Sequence, residues 1–355
     1  MKNITALIKP SSHLCNLKCE YCFYCDEVNN RSDKSSSYMT LETAENIIKK
    51  VYNYCDNSSN VNFMFQGGEP LLSGVEFFEF FSDKANDLNQ KNLTLNFSLQ
   101  TNGTLITEDY CKIFKKYNYL IGVSLDGPEE IHNMYRSNSY NQVISGIEFL
   151  KKHSINFNII PVITSLNDPY KLFEFYVSNN FLDVQLIYCL DELNSQNSDY
   201  VLKPQELSRF KKRFFNKWIS FLKSGNEMNV REFNNLAMYL RSGQYEQCGF
   251  LGKCTPQLVI ESDGTVYPCD FYCLDDYKCL NINDCELEDL LICDGMCNFI
   301  NHTEPLNSLC VSCEVKHLCN GGCKRYRSLY NSLGGYCPQR DFLTNSVPKL
   351  LDFYK

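Results

Sequence analysis

Strand-like and helix-like segments alternate along the first half of the chain, and this alternation admits few folds. Runs rich in β-branched and aromatic residues predict strands at 4–8, 61–65, 93–99, 120–125, 156–163 and 183–190. Between them, apolar residues at helical spacing predict helices at 41–54, behind the cap-like Thr40, and at 74–88, 108–116, 140–152 and 169–179. Such alternation builds parallel βαβ units, so the expected class is α/β. Six units make three-quarters of a (β/α)8 barrel. A partial (β/α)6 TIM-type barrel of this kind leaves an open side for a long substrate. Polar and glycine-rich residues follow several strands, as in Gln66-Gly67-Gly68-Glu69-Pro70, Gln100-Thr101-Asn102-Gly103 and Asp126-Gly127-Pro128. In barrels of this type the chemistry sits on that C-terminal rim.

Beyond about residue 202 the character changes. Two amphipathic helices are expected at 204–224 and 231–241, and then the chain becomes dense in cysteine. The expected domains are therefore 1–235, the barrel, and 236–355, a cysteine-rich domain. There are 20 cysteines in 355 residues, and 44% of the chain is hydrophobic. A chain with that much apolar material builds its own core, so a small disulfide scaffold is excluded. The N-terminal apolar run is too short for a signal segment, and no stretch of eighteen apolar residues exists. A cytoplasmic location follows as the expectation, and there clustered thiols bind metal more often than they pair. With 34 basic against 42 acidic residues, the formal charge of −8 argues against a nucleic-acid partner.

Two cysteine arrays carry the chemistry. Cys15, Cys19 and Cys22 form a CxxxCxxC on one loop after the first strand. Three thiolates can hold three irons of a [4Fe–4S] cube and leave the fourth open to a ligand. Zinc is the rival; it wants four protein ligands, and Cys25 could supply the last. The second array runs Cys248, Cys254, Cys269, then Cys310, Cys313, Cys319, Cys323 and Cys337. Eight thiolates satisfy two closed four-iron clusters or, in the competing reading, two zincs.

Cys15, Cys19, Tyr21 and Cys22, together with Gly67-Gly68-Glu69-Pro70, resemble the radical S-adenosylmethionine (SAM) superfamily. That resemblance implies SAM chelating the open iron and a reduced cluster cleaving it to a 5′-deoxyadenosyl radical. It makes Tyr21, Gly67, Gly68, Glu69, Ser124 and Arg136 the cofactor-binding candidates. A glycine pair permits close backbone approach, Glu69 can meet an ammonium, and Arg136 can fork onto a carboxylate. The second array resembles the SPASM domain. By that resemblance Cys248, Cys254, Cys269 and Cys323 hold one auxiliary [4Fe–4S] cluster and Cys310, Cys313, Cys319 and Cys337 the other. Three clusters would carry roughly twelve irons. Nine cysteines remain, of which Cys55, Cys111 and Cys189 read as buried hydrophobes. Cys25 and Cys273 lie close enough in sequence to ligands to substitute for them.

Within that superfamily the chain resembles the anaerobic sulfatase-maturating enzymes. The segments that carry this likeness include Leu7-Ile8-Lys9-Pro10, Ser98-Leu99-Gln100-Thr101-Asn102-Gly103 and Glu261-Ser262-Asp263-Gly264-Thr265-Val266-Tyr267-Pro268-Cys269-Asp270. The resemblance implies oxidation of a Cys or Ser in an unfolded sulfatase peptide to Cα-formylglycine, begun by hydrogen abstraction at Cβ. It implies Asp270 as the catalytic base and Tyr24 and Gln66 as substrate contacts. It further implies an external one-electron donor such as flavodoxin or ferredoxin. A monomer suffices for a barrel that takes peptide. Two other functions compete: a radical SAM/SPASM maturase that forms thioethers or epimerises a ribosomally made peptide, and a zinc-stabilised binding protein. The first often carries a leader-binding domain ahead of its barrel, for which the sequence before Cys15 leaves no room. Anaerobically purified protein rich in zinc and free of colour would favour the second.

Overall fold

The computed structural model describes residues 3–34, 36–195, 198–303, 305–306, 308–330 and 335–354. Strands in chain order are β1 (Asn3–Ile8), β2 (Asn60–Phe65), β3 (Thr94–Thr101), β4 (Leu120–Val123), β5 (Phe157–Ile159), β6 (Val162–Ile163), β7 (Asp183–Val184), β8 (Ile187–Tyr188), β9 (Asn229–Val230), β10 (Leu258–Ile260) and β11 (Val266–Tyr267). The chain forms two compact units, one of residues 1–124, 135–157 and 256–302, the other of 125–134, 158–255 and 303–355.

In the first unit the strand order is β11-β10-β1-β2-β3-β4, parallel apart from β11 against β10. The strands β1 to β4 alternate with helices Leu41–Tyr54, Val75–Asp87 and Glu108–Lys116, and Tyr140–Lys152 follows. Thr40 caps the first of these by accepting from the Thr43 amide. Phe63, Phe65, Phe78 and Phe81 interlock beneath the sheet, with Phe65 and Phe81 edge to face at 5.0 Å. Register sets the rim. Ile8 lies opposite both Phe65 and Ile260, so Lys9, Gln66 and Glu261 leave their strands at one level.

The hairpin β10–β11 extends this sheet along the β1 edge. The Lys9 amide donates to the Ile260 carbonyl at 2.8 Å and continues the ladder by one residue.

The second unit holds helices Pro169–Ser178, Pro204–Lys223, Arg231–Ser242 and Pro338–Phe353. Its core gathers Phe210, Phe214, Phe215, Trp218, Phe233 and Phe342, with the Trp218 indole donating to the Met228 carbonyl at 2.9 Å. The expected strands at 156–163 and 183–190 are each broken in two. Pro161 has no amide to give a ladder, and the chain steps across it. Gln185 donates to the Ile159 carbonyl on one side of the break and Ile187 to the Pro161 carbonyl on the other. Parallel pairs β5–β7, β7–β9 and β6–β8 result. Among the described residues no helix is long and apolar enough to cross a membrane.

Candidate active site

The rim loop after β2 is drawn tightly against the loop that carries the first cysteines. Gly68 donates to the Ser12 carbonyl and Glu69 to the Leu14 carbonyl, both at 2.8 Å. A Cβ on Gly67, whose φ is +125°, would stand 2.8 Å from the Ser12 oxygen. This cradle needs glycine because one backbone lies directly on another.

Glu69 is fully buried. Its Oε1 accepts from the Thr101 hydroxyl at 2.8 Å and the Leu71 amide at 3.0 Å, and its Oε2 accepts from the Asn102 amide at 2.8 Å. Burial pushes its carboxyl up to about 7 despite these donors. A carboxylate has about four lone-pair sites, and three are occupied, two of them joining the rim after β2 to Thr101 and Asn102 at the end of β3 and one holding the local turn. One remains for the expected ammonium.

Cys15, Cys19 and Cys22 share one loop, and Cys22 caps the short helix Phe23–Asn29. The Cys22 thiol is pulled down to about 6, first by a hydrogen bond with the Cys25 thiol and also by amides of that helix and the Arg136 charge. Cys25 is pushed up by the same bond. Cys15 accepts from the Leu17 amide at 3.4 Å and from the Asn102 side chain at 3.8 Å. Beside the triad, Tyr21 lies 5.6 Å from Tyr135, and the Arg136 guanidinium stands 5.4 Å over the Tyr21 ring. Arg136 and Ser124 are both buried, and the Ser124 amide donates to the Thr101 carbonyl at 3.0 Å. The expected cofactor-side residues of the first unit thus gather on the rim of β2 to β4 and the cysteine loop.

Asp270 opens a single turn, Asp270–Tyr272, directly after Cys269. The alternative use of such an Asp, capping turn amides, falls instead to Asp263, which accepts from the Thr265 amide at 2.9 Å. Asp270 Oδ1 pairs with Lys9 Nζ at 3.0 Å. Around Lys9 the structure brings Tyr24 and Cys273 together with Glu261 and Arg31, to which the motifs assigned no role. Its ammonium lies 3.3 Å from Cys273 Sγ and 3.7 Å from Glu261 Oε1, over the Tyr24 ring at 3.5 Å. Burial works against that ammonium, but its acidic neighbours, the Asp270 carboxylate foremost, hold its pKa well above the lysine value. Glu261 in turn pairs with Arg31 at 3.1 Å and accepts from the Tyr24 hydroxyl at 2.6 Å. Arg31 also donates to the Cys273 carbonyl. Two cations and two carboxylates balance. The Tyr24 hydroxyl is committed to Glu261, and Gln66 continues the β1–β2 ladder through its amide, at 3.0 Å from the Ile8 carbonyl. A charged residue closing the apolar run of β1 was the available signal for Lys9; Arg31 had none.

In the second unit Cys248, Cys254 and Cys323 act on one another's charge, and a Cβ on Gly249 would lie 3.4 Å from Cys323 Cβ. Cys310, Cys313, Cys319 and Cys337 form another such group, in which burial pushes the Cys319 thiol up to about 11. Cys269 belongs to the first unit. Among the described residues no three His, Cys, Asp or Glu side chains are placed to hold a single metal ion. A four-iron cube, with each thiolate on its own iron, takes a wider ring of sulfurs, and all-thiol groups of three and four are the donor sets it uses. Cys55, Cys111 and Cys189 are buried, at 4% exposure or less.

Residues 10–175 match the radical SAM superfamily, and residues 248–314 match the SPASM iron–sulfur cluster-binding domain. A cysteine-type anaerobic sulfatase-maturating enzyme of Clostridium perfringens is 38% identical over 99% of this chain and 98% of its own length. The serine-type enzyme of Bacteroides thetaiotaomicron is 28% identical over 92% of this chain and 84% of that one. Native anSMEcpe solved with AdoMet and the Kp18Cys peptide superposes with a TM-score of 0.90 at 35% identity, covering 99% of both chains.

Proposed function

Because the chain belongs to the anaerobic sulfatase-maturating enzymes of the radical SAM superfamily, we propose how its own residues serve that reaction. The protein is an oxidoreductase that converts a Cys or Ser side chain of an unfolded sulfatase peptide to Cα-formylglycine. Its cofactors are SAM and three [4Fe–4S] clusters. SAM at a reduced cluster supplies one-electron chemistry able to take a hydrogen atom from an unactivated carbon. Cysteine is the proposed target, in line with the cysteine-type relatives at 37–38% identity against 28% for the serine-type one.

Cys15, Cys19 and Cys22 hold the first cluster. Gly67, Gly68 and Glu69, with Tyr21, Ser124 and Arg136, hold SAM, Glu69 facing its ammonium while its other lone pairs keep the loop in shape. Cys310, Cys313, Cys319 and Cys337 hold one auxiliary cluster. Cys248, Cys254 and Cys323, with Cys269, hold the other, and residues 236–355 act as the cluster-bearing domain. Clusters held by these cysteines would supply an exit for the electron that product formation releases. Asp270 accepts the thiol or hydroxyl proton of the target residue. Tyr24 flanks the target side chain, and the side chain of Gln66 contacts the peptide. Flavodoxin or ferredoxin feeds electrons to a cytoplasmic monomer.

The observation that carries the role of Asp270 is its pairing with a buried lysine 3.0 Å away, where a turn-capping aspartate would meet amides. The test is mass spectrometry of a peptide bearing Cys-x-Pro-x-Arg under reducing, oxygen-free conditions. An aldehyde in place of the thiol is expected; loss of two hydrogens with sulfur retained would indicate a thioether maturase instead. Asp270→Asn should still cleave SAM but form no aldehyde. Full activity in that variant removes Asp270 from the mechanism.

A further inference from the structure

We infer that Lys9 is the positioning residue for Asp270: its ammonium fixes one carboxylate oxygen so that the other stays directed at the reacting side chain. This inference rests on the reading of Asp270 as the proton acceptor. Lys9 is fully buried, and an ammonium in that position must be matched by acceptors. It donates to Cys273 Sγ at 3.3 Å and forms ion pairs with Asp270 Oδ1 at 3.0 Å and Glu261 Oε1 at 3.7 Å.

The two carboxylates do not depend on it equally. Glu261 has Arg31 at 3.1 Å, the Tyr24 hydroxyl at 2.6 Å and the Ser12 hydroxyl at 3.2 Å. For Asp270, Lys9 is the one cationic partner among the described residues. Asp270 sits on a single turn that does not by itself fix a rotamer, and its side chain keeps 17% exposure. Lys9 is rigid by contrast. Its amide extends the β1–β10 ladder, Pro10 follows it, and the Tyr24 ring lies against its ammonium at 3.5 Å. A fixed ammonium on a strand end therefore holds a carboxylate on a turn.

The test compares deoxyadenosine formed with formylglycine formed, on the reconstituted enzyme and the cysteine peptide, in Lys9→Met. Misplacement of a reacting group by about 1 Å can cost roughly a hundredfold. Aldehyde should therefore fall by roughly that factor while deoxyadenosine continues, so their ratio rises by at least about tenfold. Iron per chain serves as the folding control. Should Lys9→Met not fold, the double variant Lys9→Met/Glu261→Gln keeps Arg31 and Asp270 balanced and is read in the same way. A ratio equal to that of the wild type, whether both products persist or fall together, overturns the inference. Asp270→Asn separates the two readings. If it uncouples and the Lys9 variants do not, only the role of Lys9 fails; if Asp270→Asn makes aldehyde normally, the proton acceptor itself is misassigned.

Discussion

Gly68 lies so close to Leu14 that a Cβ on it would stand 2.2 Å from the Leu14 carbonyl oxygen. No side chain fits there without moving a backbone, so the glycine fixes the distance between the SAM loop and the cysteine loop. Gly68→Ala should weaken SAM binding, measured by calorimetry on reconstituted enzyme, by at least about tenfold, or 1.4 kcal/mol. Unchanged affinity would show that this approach does not shape the cofactor site.

Glu69 gives a pH signature. Its folded carboxyl titrates near 7, above the ordinary 4.5, so between those values the folded state binds more protons than the unfolded one. Stability from this group is therefore greatest at low pH and declines as pH rises from about 4.5 to 7, by about 3 kcal/mol in all. Glu69→Gln removes that slope. It also turns an amide NH2 toward donor N–H or O–H groups, at about 1–3 kcal/mol. Urea midpoints should fall for the wild type between pH 5 and 7 and stay flat for the variant, which starts below the wild type at pH 5 and is overtaken by the wild type's decline towards pH 7.

Tyr24 and Glu261 make a separate prediction. Removing the hydroxyl that donates to both oxygens of a buried carboxylate should destabilise the protein by about 1.5–3 kcal/mol. Tyr24→Phe is expected to lower the denaturant midpoint accordingly and leave iron per chain unaltered. A midpoint equal to the wild type would mean that Arg31, Lys9 and Ser12 suffice for Glu261.

The thiol groups are separable by metal analysis. Changing Cys15, Cys19 and Cys22 together to Ala should reduce iron from about twelve to about eight per chain, with sulfide in step. Changing Cys310, Cys313, Cys319 and Cys337 should do the same. Chains that keep the full iron complement after either change would refute the ligand assignment.

Much of the first unit was legible because its signals are local. The helices at 41–54, 108–116 and 140–152 have the expected bounds, since a stripe repeating every three or four residues is complete within the segment. The breaks in the strands at 156–163 and 183–190 were half legible: Pro161 stands in the first run and excludes an unbroken ladder there, whereas nothing comparable marks the second. Helix Pro338–Phe353 was missed, with Pro348 inside it and cysteines before it masking the period. Of the site, the triad and the glycine pair are sequence motifs. Lys9, Arg31 and Glu261 meet only because β10 lies beside β1, and pairing between such distant segments leaves no trace in the spacing of either.

That same pairing sets a clock on the chain's birth. Until residues 258–260 leave the ribosome, β1 has an open edge and Lys9 lacks Glu261 and Asp270. At about 5–20 residues per second, the wait lasts on the order of 10–50 s. During that time the cysteine loop is already synthesised while the wall beside it is not. The nascent first unit therefore resembles an unlatched box, open to incoming iron and sulfide and closed only when the hairpin arrives.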